Sequence, residues 1–184
     1  MTHLPEQCPY IVALVKECLR YFTVLRLALP KASIRDIIYE GVVIPAGTVF
    51  FLNAWACNMG RLHYKPPPTH LYSCILLDNE VWYDPETFRP ERWLEHPDAP
   101  MFTYGSGYRM CAGWLLANRE LYLIFIRMLN SFEIQKAEDV DCHPLRGNLD
   151  PTSLVSMPHR YKARFVPRNS KALDAALKNF KAAG

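Results

Sequence analysis

The stretch FTYGSGYRMCAG, residues 102–113, decides the fold and the chemistry that we expect of this chain. Its glycines Gly105 and Gly107 permit a tight turn and allow a flat ligand to approach the backbone closely. Cys111 stands at the start of a predicted helix, where unpaired N–H groups and the helix dipole favour a thiolate. With Arg109 two residues before it, this thiolate is suited to bind a metal or to act as a nucleophile.

Other functions of a glycine-rich loop can be compared with the same letters. A dinucleotide-binding Gly-x-Gly-x-x-Gly loop is excluded because Met110 occupies the place of the third glycine. A Gly-x-Ser-x-Gly nucleophile elbow is excluded because Ser106 lies directly between two glycines. A Cys–His protease stays open on spacing, although no local signature supports it. Without its context, a lone cysteine is most often a buried structural thiol.

The surrounding chain is predicted to contain two helices and several short strands. Apolar residues at helical spacing predict one helix over residues 10–22 and a second over residues 112–130. Turn signals and short apolar runs predict strands within residues 34–51, and an alternating pattern predicts another over residues 161–165. Residues 84–111 are dense in proline, glycine and aromatic residues and are predicted to form an ordered loop.

The composition indicates a globular protein. The chain has 184 residues, of which 50% are hydrophobic and 21% are charged, and this excludes disordered, collagen-like and coiled-coil proteins. A net charge of +3 is too small to indicate a nucleic-acid partner. The six cysteines are far apart, so neither a structural zinc site nor a dense disulfide framework is expected, and a reducing compartment fits. The sequence shows neither an apolar run of about 18 residues nor a signal peptide, which predicts a cytoplasmic chain without a membrane span.

The end of the chain is basic. From Arg160 onward lysine and arginine dominate, and Asp174 is the one acidic residue. We expect residues 169–184 to form a solvated basic tail. The alternative is a docking face for an acidic partner.

Two further motifs precede the cysteine loop. ECLR at residues 17–20 contains Glu-x-x-Arg, and FRPERW at residues 88–93 contains Pro-Glu-Arg followed by an aromatic residue. Together with residues 102–113, and in this order, they resemble the Glu-x-x-Arg helix, the Pro-Glu-Arg-Phe segment and the haem-binding loop of the cytochrome P450 family. The resemblance covers residues 9–168, and within the family the text is similar to fungal phenylacetate 2-hydroxylase-like members.

The resemblance implies that the loop binds haem b. Cys111 would be the axial ligand of the haem iron, and a thiolate there pushes electron density onto the iron and favours O–O cleavage. Arg109 would pair with a haem propionate, and Phe102 would pack near the sulfur side of the ring. Gly105 and Gly113 would be the glycines of the haem-binding loop.

Four more residues receive a role from the resemblance. Glu17, Arg20 and Arg92 would form a buried ion network that braces the haem loop. For Glu17 and Arg20, the alternative is an exposed helix pair that contributes about 0.3–0.5 kcal/mol. Lys31 would supply a second charge to a haem propionate, although lysine lacks the two-pronged fork of arginine.

The resemblance also implies the fold. Residues 1–168 would form the C-terminal part of a cytochrome P450 domain, mainly α with small β portions at residues 34–53 and near residues 153–166. The segments Leu27–Leu29 and Ser153–Leu154 would reach the substrate pocket. For both segments, the alternative is an ordinary core or loop position.

The activity implied by the resemblance is that of a haem-thiolate monooxygenase. Such an enzyme inserts one oxygen atom of O2 into a small organic substrate, here a phenylacetate-like aromatic acid. The electrons come from NADPH through NADPH-cytochrome P450 reductase, and the full-length family member resides at the endoplasmic reticulum membrane. One alternative is a non-catalytic fragment that does not hold haem productively. Another is a thiol enzyme based on Cys111, whose activity would be sensitive to alkylation.

The sequence departs from the family pattern in two places. The chain begins close to the first motif, so we expect the oxygen-activating helix upstream of it, and no catalytic residue is assigned here. Residues 60–77 match nothing on either side, and their removal joins Met59 to Asp78 in a continuous Asp-x-x-x-Trp-x-Asp-Pro pattern. We interpret residues 60–77 as the translation of a retained intron. The alternatives are a genuine surface insertion and a metal site, whose candidate ligands are His63, His70 and Cys74.

Overall fold

The computed structural model of the chain describes residues 7–60 and 83–182, with side chains as far as residue 179. The suspected insertion therefore lies outside the described residues except for Gly60, and so do the three candidate metal ligands within it. In chain order, the helices and strands are α1 (Pro9–Phe22), β1 (Lys31–Ala32), β2 (Ile37–Tyr39), β3 (Val42–Ile44), β4 (Val49–Phe50), α2 (Ala54–Asn58), α3 (Arg92–Glu95), α4 (Trp114–Ser131), β5 (Phe132–Lys136), β6 (Ala163–Pro167) and α5 (Ser170–Ala182).

Helix α1 confirms the first predicted helix. Pro9 occupies its first turn, where a missing N–H costs nothing and the fixed φ favours the helix. The helix ends at Thr23, which has a left-handed φ of 35° and donates its N–H to the carbonyl of Leu19. On one face of α1, Ile11 and Val15 pack against Tyr122 of α4. This small apolar cluster joins α1 to α4.

Helix α4 confirms the second predicted helix to within two residues at either end. It follows the cysteine loop directly, and its buried residue is Tyr122, whose hydroxyl accepts the N–H of Cys8 at 3.1 Å. Several apolar side chains of α4 are exposed, among them Leu115 with 61% of its surface accessible. The first turn of α4 therefore presents apolar surface close to Cys111.

The strands form three antiparallel pairs. Strands β2 and β3 make a hairpin that turns at Glu40 and Gly41, where both residues have a positive φ. β1 pairs with β4 in the register Lys31 to Phe50. β5 pairs with β6 in the register Ile134 to Phe165. The predicted strands within residues 34–51 are confirmed, and the sheet formed by β5 and β6 adds a strand that was not predicted.

Two segments are more helical than we expected. Residues 84–111 include α3 and a 3-10 turn at Gly107–Arg109, because Pro90 and Glu91 accept the N–H groups that open the short helix. The basic end of the chain forms α5, which is largely exposed as far as residue 179. Within the part of the chain that the structure describes, no helix combines the length and the apolarity that a membrane crossing requires.

Candidate functional site

The cysteine loop folds back on itself and presents Cys111 at its surface. The N–H of Cys111 donates to the carbonyl of Tyr104 at 2.9 Å, and the N–H of Met110 donates to the carbonyl of Gly107 at 3.1 Å. Gly105 and Gly107 have φ values of +84° and +68°, a region that L side chains rarely adopt. The two glycines are therefore needed for the turn itself, and the Cys111 side chain is exposed.

Cys111 lies at the amino end of α4. The helix begins at Trp114, and its N–H points back to the carbonyl of Cys111 at 3.4 Å. A Cβ atom added at Gly113 would lie 3.9 Å from the Cys111 sulfur. The thiol thus stands where the dipole of an 18-residue helix favours negative charge.

Two cationic residues lie next to each other beside this thiol. The Nζ of Lys31 donates to the backbone carbonyl of Arg109 at 3.1 Å, and both residues are exposed. Arg109 ends the 3-10 turn two residues before Cys111. Strand β1, which carries Lys31, is held in place by its pairing with β4. The structure therefore brings the two expected propionate-binding residues to the same edge of the loop.

Two of the loop's aromatic residues make different contacts. Phe102 is half-buried, and its N–H donates to the side-chain oxygen of Asn58 at 2.8 Å. Tyr104 shares a backbone hydrogen bond with Cys111, and its hydroxyl donates to Asn118 of α4 at 2.8 Å. Burial raises the pKa of Tyr104, and a negative charge on Cys111 raises it further. The sequence analysis gave a role to Phe102 and none to Tyr104, although Tyr104 lies within the same stretch of residues 102–113.

Glu17, Arg20 and Arg92 come together in one buried cluster. Two nearly parallel hydrogen bonds join Arg20 to Glu17, Nη2 to Oε1 at 2.7 Å and Nε to Oε2 at 2.8 Å. The Nε of Arg92 lies 3.3 Å from Oε1 of Glu17. The exposed fractions of the three residues are 0%, 0% and 2%, so the alternative of an exposed helix pair does not hold.

Further donors complete the surroundings of the Glu17 carboxylate. The N–H of Arg89 donates to it at 2.8 Å, and the indole N–H of Trp93 donates at 2.9 Å. Burial lowers the pKa of Arg92, while the charge of Glu17 opposes this shift. A buried carboxylate is tolerated only when paired charges and hydrogen bonds offset its desolvation, and the cluster provides both.

The two buried arginines also bind backbone carbonyls from distant parts of the chain. Nη1 of Arg20 donates to the carbonyls of Asn58 and Pro85 at 3.2 and 2.9 Å. The Arg92 guanidinium donates to the carbonyls of Tyr83 and Thr87 at 3.0 and 2.9 Å. The cluster thus ties α1 to the end of α2 and to the segment that leads into α3.

Residues close in sequence to the two segments implied to reach a substrate pocket are hydrogen-bonded to each other. The N–H of Ser156 donates to the carbonyl of Val24 at 2.8 Å, and an Nη2 of Arg26 donates to the Ser156 hydroxyl at 2.8 Å. Leu27 and Leu29 are exposed, as are Ser153 and Leu154. The alternative of core positions therefore does not hold for these side chains.

The chemistry of the site fits a flat, apolar, dianionic metal complex such as haem. Cys111 offers an exposed thiol as a ligand, Lys31 and Arg109 provide positive charge, and Leu115 provides exposed apolar surface. Within the described residues, no group of three or more His, Cys, Asp or Glu side chains is arranged to hold a bare metal ion. A single thiolate suits a metal that arrives already bound in an organic ring.

Comparisons with known proteins agree with this chemistry. The statistical model of the family described as Cytochrome P450 matches the chain over residues 3–72 and 69–165. The chain is 64% identical to 3-hydroxyphenylacetate 6-hydroxylase of Emericella nidulans over 173 residues, which are 94% of this chain and 30% of that protein. It is 36% identical to phenylacetate 2-hydroxylase of the same organism over 174 residues, which are 90% of this chain and 30% of that protein.

A more distant relative gives the same coverage. The chain is 34% identical to a cytochrome P450 monooxygenase of Mycosarcoma maydis over 183 residues, which are 94% of this chain and 31% of that protein. The chain therefore spans about 30% of the length of the curated relatives that it matches.

Proposed function

Because the chain belongs to the cytochrome P450 family, we propose that it forms the haem-thiolate region of a monooxygenase. The observation that carries this proposal is the position of Cys111, exposed at the amino end of α4 with its N–H held by Tyr104. When bound, haem supplies the chemistry that activates O2, so that one oxygen atom enters the substrate and the other leaves as water. Residues 1–168 then correspond to the C-terminal part of the family's domain, and residues 169–184 to a basic tail.

Each residue of the site has a distinct task in this proposal. The Cys111 sulfur would bind the iron at the amino end of α4, where a helix dipole favours negative charge. Arg109 and Lys31 neutralise the two carboxylates of the ring, and Phe102 packs on its sulfur side. Gly113 leaves room beside the sulfur, since a side chain there starts 3.9 Å away.

The Glu17, Arg20 and Arg92 cluster has a supporting task. It is buried, and it ties α1 to the end of α2 and to the segment before α3 through the carbonyls that the arginines bind. We propose that this rigid frame keeps Cys111 in a fixed position relative to the apolar surface at the first turn of α4. Gly105 contributes by its positive φ, which directs the loop back toward α4.

The substrate class comes from the relatives. Two curated relatives are named as hydroxylases of 3-hydroxyphenylacetate and of phenylacetate. We therefore propose ring hydroxylation of a phenylacetate-type aromatic acid by the whole protein. NADPH supplies the electrons through NADPH-cytochrome P450 reductase, and the whole protein resides at the endoplasmic reticulum membrane.

The test compares two exposed cysteines. The full chain and its Cys111→Ser and Cys142→Ser variants are produced with haem available, and haem per chain and the Soret band are measured. We expect the Cys142→Ser variant to keep the spectrum of a thiolate-ligated haem and the Cys111→Ser variant to lose it. Identical spectra for both variants, or no haem on the unmodified chain, would overturn the proposal. A spectral titration with 3-hydroxyphenylacetate and with phenylacetate then tests the substrate class on the haem-loaded protein.

A further inference from the structure

We propose that Asn58 is a positioning residue that fixes the cysteine loop to α1 and thereby sets the place of the Cys111 sulfur. Asn58 is the last residue of α2, and none of its surface is exposed. Its side-chain oxygen accepts the N–H of Phe102 at 2.8 Å. Its amide nitrogen donates to the hydroxyls of Thr23 and Thr103, both at 2.9 Å. The side chain therefore touches the end of α1 and the start of the loop at once.

The surroundings of Asn58 select an amide. The hydroxyl of Thr23 donates to the carbonyl of Arg20 at 2.6 Å, and that of Thr103 donates to the carbonyl of Leu19 at 2.7 Å. Both hydroxyl groups thus donate their protons to carbonyls of α1, so each hydroxyl oxygen can still accept a hydrogen bond from another donor. The N–H of Phe102 needs an acceptor at the same place. Asparagine offers two donors and one acceptor, which aspartate and leucine do not.

A short chain of hydrogen bonds leads from Asn58 to the sulfur. Asn58 fixes Phe102 and Thr103, and the carbonyl of Phe102 accepts the N–H of Gly105 at 2.9 Å. Two residues after Phe102, the carbonyl of Tyr104 accepts the N–H of Cys111. Loss of the Asn58 contacts therefore loosens the segment of the loop to which Cys111 is bonded, while the bond from Thr103 to Leu19 remains.

The same residue meets the buried ion cluster through its backbone. The carbonyl of Asn58 accepts Nη1 of Arg20 at 3.2 Å, and this bond does not depend on the Asn58 side chain. A substitution at Asn58 thus leaves the Glu17–Arg20 pair in place and removes the side-chain bonds to Thr23, Phe102 and Thr103. This separation makes the role testable without dismantling the cluster.

The principal variant is Asn58→Leu, which keeps the branched shape and the number of heavy atoms and removes all three hydrogen bonds. The matched control is Asn53→Leu, because Asn53 lies on the same short helix and caps it by accepting the N–H of Ala56 at 3.0 Å. Asn53 is exposed, and its cap bond stays within the helix. If Asn58→Leu does not fold, Thr103→Val replaces it, with Thr103→Ser as the conservative variant that keeps the hydroxyl.

Amide hydrogen exchange on the full chain without haem provides the first measurement. We expect Asn58→Leu to speed exchange at Phe102 and Cys111 by about tenfold or more, while the amides of α1 keep their rates. Alkylation of the Cys111 thiol should accelerate in parallel. Thr103→Val should reproduce both effects, and Thr103→Ser and Asn53→Leu should not. A uniform acceleration of all amides, or none at the loop, would overturn the inference.

The second measurement concerns the haem-loaded chain, and its meaning rests on the proposed function. We expect Asn58→Leu to release haem faster than Asn53→Leu and to shift the Soret band. If the unmodified chain holds no haem, the proposed function fails, whereas the exchange result still decides the role of Asn58. If the chain holds haem and both variants match it in spectrum and release rate, the inference about Asn58 fails alone.

Discussion

The Glu17 carboxylate and the Arg20 guanidinium face each other through two hydrogen bonds of 2.7 and 2.8 Å, and neither residue has any surface exposed to solvent. Their three-residue spacing places them on one face of α1. Such a pair would be costly to bury alone, because desolvation of two charges can exceed their attraction. The additional donors from Arg92 and Trp93 offset that cost. The pair is therefore an anchor for the segments around it.

Glu17→Gln should destabilise the protein strongly. The substitution removes the charge that compensates Arg20 and Arg92, and breaking a buried pair in this way costs about 3–5 kcal/mol. Urea unfolding measures the loss. The control is Glu95→Gln, which removes the solvent-exposed partner of Arg89 and should change the unfolding curve little. Equal effects of the two variants would show that the Glu17 cluster does not act as an anchor.

The cysteines should differ sharply in reactivity. Burial raises the pKa of the Cys18 thiol to about 11, and the nearby charge of Glu17 adds to the shift. Burial also raises the pKa of Cys57, whereas Cys111 and Cys142 are exposed. At about pH 8 we expect iodoacetamide to label both exposed cysteines at least about tenfold faster than Cys18, because the thiolate is the reactive form. Mass spectrometry of tryptic peptides gives the labelling rates. A labelling rate of Cys18 comparable to that of Cys111 and Cys142 would contradict the burial of the Cys18 thiol.

The same thiol should make stability depend on alkaline pH. Because the pKa of Cys18 in the folded state lies above its ordinary value of 9.0, the folded protein holds this proton more tightly than the unfolded chain. The resulting stabilisation is complete below pH 9.0 and is lost as pH rises through about 11. Urea unfolding over this range should show the free energy falling more steeply for the unmodified protein than for Cys18→Ala. Parallel pH dependences would assign the slope to other groups.

Two glycines of the loop should respond differently to alanine. Gly105 has a φ of +84°, so Gly105→Ala should cost about 1–2 kcal/mol of unfolding free energy. Gly113 has a φ of −91°, and an added methyl group would meet the Cys111 sulfur at an ordinary contact distance of 3.9 Å. Gly113→Ala should therefore stay within about 0.5 kcal/mol of the unmodified protein and should slow alkylation of Cys111 by covering its sulfur. Urea unfolding measures the stability of both variants, and thiol labelling measures the access to Cys111. An equal loss of stability in the two variants would contradict the difference in φ between Gly105 and Gly113.

The segments that precede and follow residues 60–77 are both hydrogen-bonded to the side chain of Arg20. Nη1 of Arg20 donates to the carbonyls of both Asn58 and Pro85. We propose that residues 60–77 are an insertion translated from a retained intron. A variant without residues 60–77 should keep both of these hydrogen bonds, because the residues that remain between Asn58 and Pro85 easily span the short distance between the two carbonyls.

Two measurements check this proposal. Complementary DNA across the junction should join the codons of Met59 and Asp78, and a transcript that retains the intervening codons would contradict the intron. The deletion variant should unfold in urea at or above the midpoint of the unmodified chain. A Gly/Ser replacement of the same length serves as the control for loop length. A large loss of stability on deletion, without a loss on replacement, would show that the chain needs this length.

The local elements were predictable because their signals are local. The apolar spacing within α1 and α4 and the Glu40–Gly41 turn act over a few residues, and the structure confirms them. Helix α3 was missed because it has only four residues, and it is held by the burial of Trp93 against α1. β5 was missed because its partner β6 follows only after a long intervening segment.

The sequence by itself determined that a helix begins shortly after Cys111, that a glycine turn precedes it, and that Glu17 and Arg20 share one helix face. These features depend on backbone preferences and short spacings. Only the tertiary structure decided that Asn58 binds Phe102, 44 residues away, and that Arg92 reaches Glu17, 75 residues away. Such contacts exist because buried polar groups must find partners wherever packing brings them together, and no local pattern records which partner that will be.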